Sequence, residues 1–118
     1  IANARRLSEL LSGVKGIVVP VVENGYKHVF HQYTIRVTKS SGTSRDDVIK
    51  RLSDAGIGTG VYYPVPIHLQ KYYRDLGYAE SHPVAEEAAK EVISLPVHPS
   101  VTPKEIEYIA ETLRGCCS

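Results

Sequence analysis

Segments with helical spacing of apolar residues alternate along this chain with short segments rich in β-branched residues. The helical spacing occurs over residues 4–14, 48–55, 84–93 and 106–113. The segments between them, residues 17–22, 28–37, 57–63 and 95–97, are predicted to be strands or short extended pieces. This order predicts an α+β fold, in which helices cover a small antiparallel or mixed sheet.

Turn and cap residues mark the ends of these segments. Asn24-Gly25 is typical of a tight hairpin turn, and Pro20 places residues 17–22 at the edge of the sheet. Capping boxes are predicted at Ser44 with Asp47 and at Thr102 with Glu105. Further boundaries are indicated by glycine or proline at Gly13, Gly16, Gly56, Pro83 and Gly115.

Length and charge limit the possible classes of protein. The 118 residues are sufficient for one domain, residues 1–118, with a radius of gyration of about 13 Å if it is compact. A formal net charge of +1 gives no reason to expect nucleic acid or a membrane as partner. We expect a cytoplasmic location, because no targeting signal is visible. The chain has no Met and begins within a helical pattern, so we expect it to be a piece of a longer protein.

Other groups of reactive residues give weak signals. Cys116 and Cys117 are adjacent, which disfavours a disulfide between them, and we expect an exposed thiol tail. His28 and His31 would point to opposite faces of a strand, so no metal site is predicted. The glycines of residues 56–60 follow a helix and precede a strand, which is the wrong order for a phosphate-binding loop.

The strongest functional signal is the segment Tyr62–Tyr73, which we call the aromatic loop. Four of the eight tyrosines and one histidine lie within it, between glycines and prolines. Tyrosine offers a flat ring for stacking and a hydroxyl for hydrogen bonds, which suits a planar base, a sugar or a partner surface. The same composition suits a packing loop that closes one end of the domain, and the residues alone leave both interpretations open.

This loop and the residues around it resemble a known family. The run DAGIGTGVYYP at residues 54–64 and HLQKYY at 68–73 are followed by PVAE, SLPVHP and TPKEI. With HQYTIRV at residues 31–37, they resemble in this order the C-terminal region of the DegT/StrS-type sugar aminotransferases. These are pyridoxal-phosphate enzymes with the fold of aspartate aminotransferase, called fold type I. The resemblance covers essentially the whole chain.

The resemblance implies that the chain is the C-terminal small domain of such an enzyme. The large domain, with pyridoxal phosphate and its lysine, would be absent, so the isolated chain would bind no cofactor and be inactive. The longer enzyme would be a cytoplasmic homodimer that transfers an amino group from glutamate to a nucleotide-linked keto-sugar, as in cell-surface polysaccharide biosynthesis.

The resemblance also implies which residues contact the substrate. They are Tyr62, Tyr63, His68, Gln70 and, more weakly, Arg36, and no catalytic residue is implied in this chain. Tyr62 stands where the family often has histidine, which favours stacking or hydrogen bonding over proton transfer. Two alternatives stay open: a dehydratase of the same family, and a stand-alone domain that binds a small molecule or a protein through the aromatic loop.

Overall fold

The computed structural model describes residues 1–117, which form five helices and three strands. The helices are α1 (Ala2–Leu11), α2 (Arg45–Asp54), α3 (Lys71–Asp75), α4 (Pro83–Glu91) and α5 (Pro103–Cys116). The strands are β1 (Ile17–Val18), β2 (Tyr33–Val37) and β3 (Val92–Leu95). The predicted α+β class is confirmed, and within the described residues both strand pairings are antiparallel, in the order β1-β2-β3.

The register of the sheet separates an apolar face from a polar face. Tyr33 lies opposite Leu95 and Ile35 opposite Ile93, and all four side chains are buried. Because directly paired residues share a face, Thr34 and Arg36 project to the other side with their partners on β3. The apolar face joins helices α1, α2 and α5 in one core, whose largest fully buried members include Leu7, Leu11, Leu52, Ile106 and Leu113.

Side-chain caps begin two of the helices, as the sequence predicts. Ser44 Oγ accepts a hydrogen bond from the Asp47 N–H at the start of α2. At α5, Thr102 Oγ1 accepts from the Glu105 N–H, and a Glu105 carboxylate oxygen accepts from the Thr102 N–H. The capping box at α5 is therefore complete, and its reciprocal bonds satisfy donors that the first turn leaves free.

Several predicted boundaries are wrong, and the predicted strands 17–22 and 95–97 are replaced by β1 at Ile17–Val18 and β3 at Val92–Leu95. The segment 28–32 is not strand, because Phe30 has a positive φ of 52° that interrupts an extended backbone. As a result, Asn24-Gly25 forms a turn within a long connection rather than a tight hairpin. The predicted strand 57–63 is reduced to one bridge, from Gly60 to Ser94. The helix predicted over 84–93 ends at Glu91, because the β-branched Val92 and Ile93 pair with β2.

The expectation of an exposed thiol tail is also wrong. Cys116 and Cys117 are both buried free thiols in the core, and α5 continues past Gly115 to include Cys116. The Cys116 thiol donates to the Thr112 carbonyl at 3.2 Å. Burial raises the pKa of the Cys117 thiol, and the neighbouring Cys116 adds to this effect against an opposing effect of Arg51. These cysteines therefore act as small core residues.

Candidate functional site

The aromatic loop runs from the edge of the sheet at β3 to α3, and it packs beside the start of α4. It begins beside the Gly60–Ser94 bridge, where the two residues exchange N–H to carbonyl bonds of 3.1 and 2.8 Å. It then passes through a 3-10 turn at Ile67–Leu69 and enters α3. The bridge therefore attaches the first end of the loop to β3, the strand that follows α4 directly.

Tyr62 and Tyr63 form an exposed aromatic pair at the start of this loop. Their side chains are 48% and 74% exposed, and their rings meet edge to face with centroids 5.8 Å apart. The ring of Tyr62 folds back over Gly60, where a Cβ would lie 2.6 Å from a ring carbon. A side chain at residue 60 would displace the ring, so this position of Tyr62 requires glycine there.

Tyr62 separates two open hollows of the surface. The first, of about 470 Å³, is an apolar groove between the loop and α4. We call it the tyrosine groove, and it is lined by Tyr62, Tyr63, Val65, Pro66, Ile67, His68, His82, Ala85, Ala88, Ala89 and Val92. The second, of about 710 Å³, lies at the end of the sheet and contains polar groups from His31, Gln32, Thr59, Ser94 and His98. A ligand with an apolar ring and a polar part could contact Tyr62 from both sides.

His68 lies in the same loop but is mostly enclosed. Its side chain is 13% exposed, and its Nε2 lies 3.0 Å from Glu86 Oε1 on α4. Its ring also meets the ring of His82 edge to face, with centroids 4.6 Å apart. The hydrogen bond from His68 lowers the pKa of the Glu86 carboxyl, and the backbone N–H of His82 and the Ser81 hydroxyl lower it further. The structure therefore joins His68 to protein partners.

Gln70 occupies the junction between the 3-10 turn and α3. It is exposed, and its backbone carbonyl accepts from the Arg74 N–H at 3.1 Å. Across residues 1–117 its side chain makes no hydrogen bond to another residue, and it lies outside the lining of the tyrosine groove. A substrate role for Gln70 therefore stays a prediction.

Arg36 lies on the polar face of β2, away from the lining of the tyrosine groove. Its guanidinium contacts Glu91 through Nε at 2.8 Å and Nη2 at 2.6 Å, and Glu87 lies 4.0 Å away. The Glu91 side chain is 8% exposed, which makes this a partly buried ion pair between β2 and α4. The structure thus brings Tyr62, Tyr63 and His68 together at the tyrosine groove, and it places Arg36 outside this groove, against Glu91. A role of Arg36 in substrate binding stays a prediction.

Glu86 and His82 belong to this site, although they are absent from the set of residues expected to contact the substrate. One signal for Glu86 is present in the sequence, since it lies in the first turn of a helix that Pro83 begins. The hydrogen-bond partner of the Glu86 carboxylate cannot be predicted from the sequence. His68 lies 18 residues earlier, and only the folded loop brings the two together.

The residues described here do not fit a covalent pyridoxal-phosphate site. A lysine that forms a Schiff base needs an activated amine, which desolvation or a nearby cation provides. Every lysine of this chain is exposed, and two of them pair with aspartate along their own helix: Lys50 with Asp54, and Lys71 with Asp75. Among residues 1–117 we also find no group of side chains able to hold a metal ion. None of the helices in this range has the length and hydrophobicity that a membrane span requires.

The fold and the site together define a class: an α+β domain that presents an anchored aromatic loop beside a sheet edge. A profile of the DegT/DnrJ/EryC1/StrS aminotransferase family matches residues 1–114, and the chain belongs to this family. The structure of DesV from S. venezuelae, in complex with a ketimine intermediate, superposes with a TM-score of 0.87 at 31% identity. That superposition covers 99% of this chain and 30% of DesV.

Relatives found by sequence are likewise covered by this chain over less than a third of their length. A pleiotropic regulatory protein of Geobacillus stearothermophilus is 45% identical over 94% of this chain and 29% of its own length. A UDP-N-acetyl-3-dehydro-alpha-D-glucosamine 3-aminotransferase of Acidithiobacillus ferrooxidans is 40% identical over 81% of this chain and 24% of its own length. The chain therefore spans less than a third of the length of the relatives it matches.

Proposed function

We propose that this chain is the C-terminal small domain, residues 1–118, of a pyridoxal-phosphate-dependent nucleotide-sugar aminotransferase. The observation that carries the proposal is the exposed Tyr62–Tyr63 pair, which lies between two hollows on a loop attached to the rest of the fold. The names of family members support the substrate class, since they include aminotransferases for UDP-linked and dTDP-linked sugars. In this proposal the aromatic loop forms one wall of the substrate site.

The chain's own residues would bind and orient the sugar nucleotide. The exposed ring of Tyr62 can stack on a planar base or pack against a sugar, and its hydroxyl can hydrogen-bond to either. Pyridoxal phosphate, when bound, supplies an electron sink for amino transfer, and the lysine that holds it would lie in a large N-terminal domain. Glutamate as donor, a homodimer and a cytoplasmic location are parts of the same proposal. A dehydratase of the same family stays the alternative.

Removing the Tyr62 ring tests the proposed wall. In the longer enzyme, Tyr62→Ala should raise KM for a UDP- or dTDP-linked 3-keto sugar by about tenfold, because a stacked ring is lost. The half-reaction with glutamate should keep its rate. The control is Tyr108→Phe, because Tyr108 is 49% exposed on α5 and away from the loop. An unchanged KM in Tyr62→Ala would contradict a contact between the loop and the sugar nucleotide.

The isolated chain tests whether the cofactor chemistry lies elsewhere. We expect borohydride reduction with pyridoxal phosphate to label its lysines weakly and without preference, because all of them are exposed. Peptide mapping would follow Lys15, Lys27, Lys39, Lys50, Lys71, Lys90 and Lys104. Near-complete labelling of one lysine would show that this domain holds its own cofactor site. Tight binding of a UDP-sugar to the isolated chain, measured by calorimetry, would favour the stand-alone alternative.

A further inference from the structure

Within residues 1–117, hydrogen bonds attach the aromatic loop to the rest of the fold at two points, and the second is a single carboxylate. The Gly60–Ser94 bridge attaches its start. Eight residues later, His68 Nε2 lies 3.0 Å from Glu86 Oε1 in a mostly enclosed contact. Tyr62 and Tyr63 lie between these two attachments. Their positions therefore depend on both.

Three donors meet at the same oxygen of Glu86. Besides His68, the His82 backbone N–H donates to Oε1 at 2.9 Å and the Ser81 hydroxyl at 3.2 Å. An ionised carboxylate only accepts, so the bonded Nε2 of His68 carries a proton. Such charge-assisted bonds are about twice as strong as neutral ones. One side chain thus joins the loop to the residues that begin α4.

The rings of the two histidines strengthen this attachment and place it beside the candidate binding surface. His82 contacts Glu86 through its backbone and His68 through its ring. Both histidines line the tyrosine groove together with Tyr62 and Tyr63. Capping of α4 requires only the bond from Glu86 to the His82 N–H. The additional bond to His68, 18 positions earlier, therefore indicates a role beyond the cap.

We propose that Glu86 is a positioning residue, which holds the segment from Tyr62 to His68 in the arrangement that the substrate requires. The inference rests on the proposed function for its kinetic consequence, while the attachment itself can be tested without it. Glu86 acts through His68 and contacts no substrate. Its loss should therefore change how well the sugar nucleotide binds and leave the chemistry of amino transfer in place.

Amide hydrogen exchange in the longer enzyme tests the attachment without any measurement of activity. The Leu69 and Gln70 N–H groups bond within the 3-10 turn that carries His68, and they report on its order. Glu86→Ala should accelerate their exchange by about tenfold, because a charge-assisted bond is lost. The N–H groups of Gly60 and Ser94 should keep their rates. Glu86→Gln retains an acceptor oxygen and should give a smaller effect.

Two further variants make the exchange result decisive. Glu111→Ala removes an exposed carboxylate on α5 and should leave all four amides unchanged. His68→Ala breaks the same contact from the loop side, so it serves if Glu86→Ala does not fold. Faster exchange within α4, with Leu69 and Gln70 unchanged, would show that Glu86 only caps the helix and would overturn the proposal.

Kinetics in the longer enzyme test the consequence. Glu86→Ala should raise KM for the keto-sugar nucleotide by about tenfold, change kcat little and leave the glutamate half-reaction unaffected. Partial recovery in Glu86→Gln would support the hydrogen bond as the cause. An unchanged KM with a disordered loop would overturn the proposal. If the wild-type enzyme aminated no keto-sugar, the proposed function would fail, while the exchange result would still decide the attachment.

Discussion

Two ionisable groups of the core, Tyr33 and Cys117, are kept in their neutral form by burial. Burial raises the pKa of the Tyr33 hydroxyl above its ordinary 10.0, against a smaller opposite effect of its hydrogen bond with Ser8. Burial likewise raises the pKa of the Cys117 thiol above 9.0. Neither group can ionise in the core without losing hydration, so both couple the stability of the fold to pH.

The free energy of unfolding should therefore fall as the solution becomes alkaline. The unfolded chain releases these protons near pH 9.0 and 10.0, while the folded chain keeps them to higher pH. Because the folded state then binds more protons, its stability is complete below these values and decreases above them. Urea denaturation at increasing pH measures the effect. Cys117→Ala should remove the part that begins near 9.0, and an unchanged slope in that variant would contradict the assignment.

The ion pair of Arg36 with Glu91 shows that an arginine in a suitable strand need not be free to bind a substrate carboxylate. Arginine on a strand of an aminotransferase-like domain is an attractive carboxylate ligand, yet here Glu91 takes two of its nitrogens. An anionic group of a substrate would have to compete with that buried carboxylate. The free energy that such a pair contributes is reduced because Arg36 is more than a third exposed. The pair also links β2 to α4, the helix to which the aromatic loop is attached.

At the scale of elements, the cap of α5 can be tested directly. Thr102→Ala should lower the free energy of unfolding by about 1 kcal/mol, since it removes the bond to the Glu105 N–H. The α5 helix carries Ile106, Ile109, Ala110 and Leu113 into the core, so fraying at its first turn should lower the stability of the whole domain. Urea denaturation would measure this change. Ser100→Ala, at an exposed position before the helix, is the control, and equal losses in both variants would contradict the capping role.

Elements that local chemistry determines could be predicted from the sequence, and those that depend on distant partners could not. Apolar spacing together with Ser44, Pro83 and Thr102 placed the starts of three helices correctly. The ends of strands were predicted less well, because a strand extends only as far as its neighbour. Residues 57–63 have a suitable composition, but only Gly60 meets a partner on β3.

In the candidate site, too, locally encoded features could be predicted from the sequence, and contacts with distant residues could not. The tyrosines of the aromatic loop could be found by composition, because four of the eight tyrosines lie within its twelve residues. The contact of His68 with Glu86 could not, since it depends on how the loop packs against α4. The burial of Cys116 and Cys117 was also missed, because the apolar stripe of α5 continues beyond Gly115. Gly115 is not the end of α5, so the position of the two cysteines after it does not indicate exposure.

At the scale of the whole molecule, the chain is wider than a compact domain of its length. Its radius of gyration is 15.5 Å, against the roughly 13 Å expected for a compact fold. Two long connections outside the regular elements of the core carry exposed apolar side chains. One lies before β2 and includes Val21, Tyr26 and Val29, and the other leads from the aromatic loop into α4. The latter exposes Tyr63, Ile67, Tyr72, Leu76, Tyr78 and Val84.

Exposed apolar surface of this extent should make the isolated chain associate with itself, because monomeric proteins rarely leave such surface in water. We propose that the remainder of the longer enzyme covers these two surfaces. The isolated chain should therefore bind a hydrophobic dye and elute early in gel filtration, and the longer enzyme should do neither. Val21→Ser together with Val84→Ser should reduce dye binding without unfolding the domain, since these side chains are 77% and 81% exposed and contribute little to the core. The matched control is Ser40→Ala, on an exposed turn away from both surfaces. A monomeric chain without dye binding would contradict a covered surface and would favour a domain that functions alone.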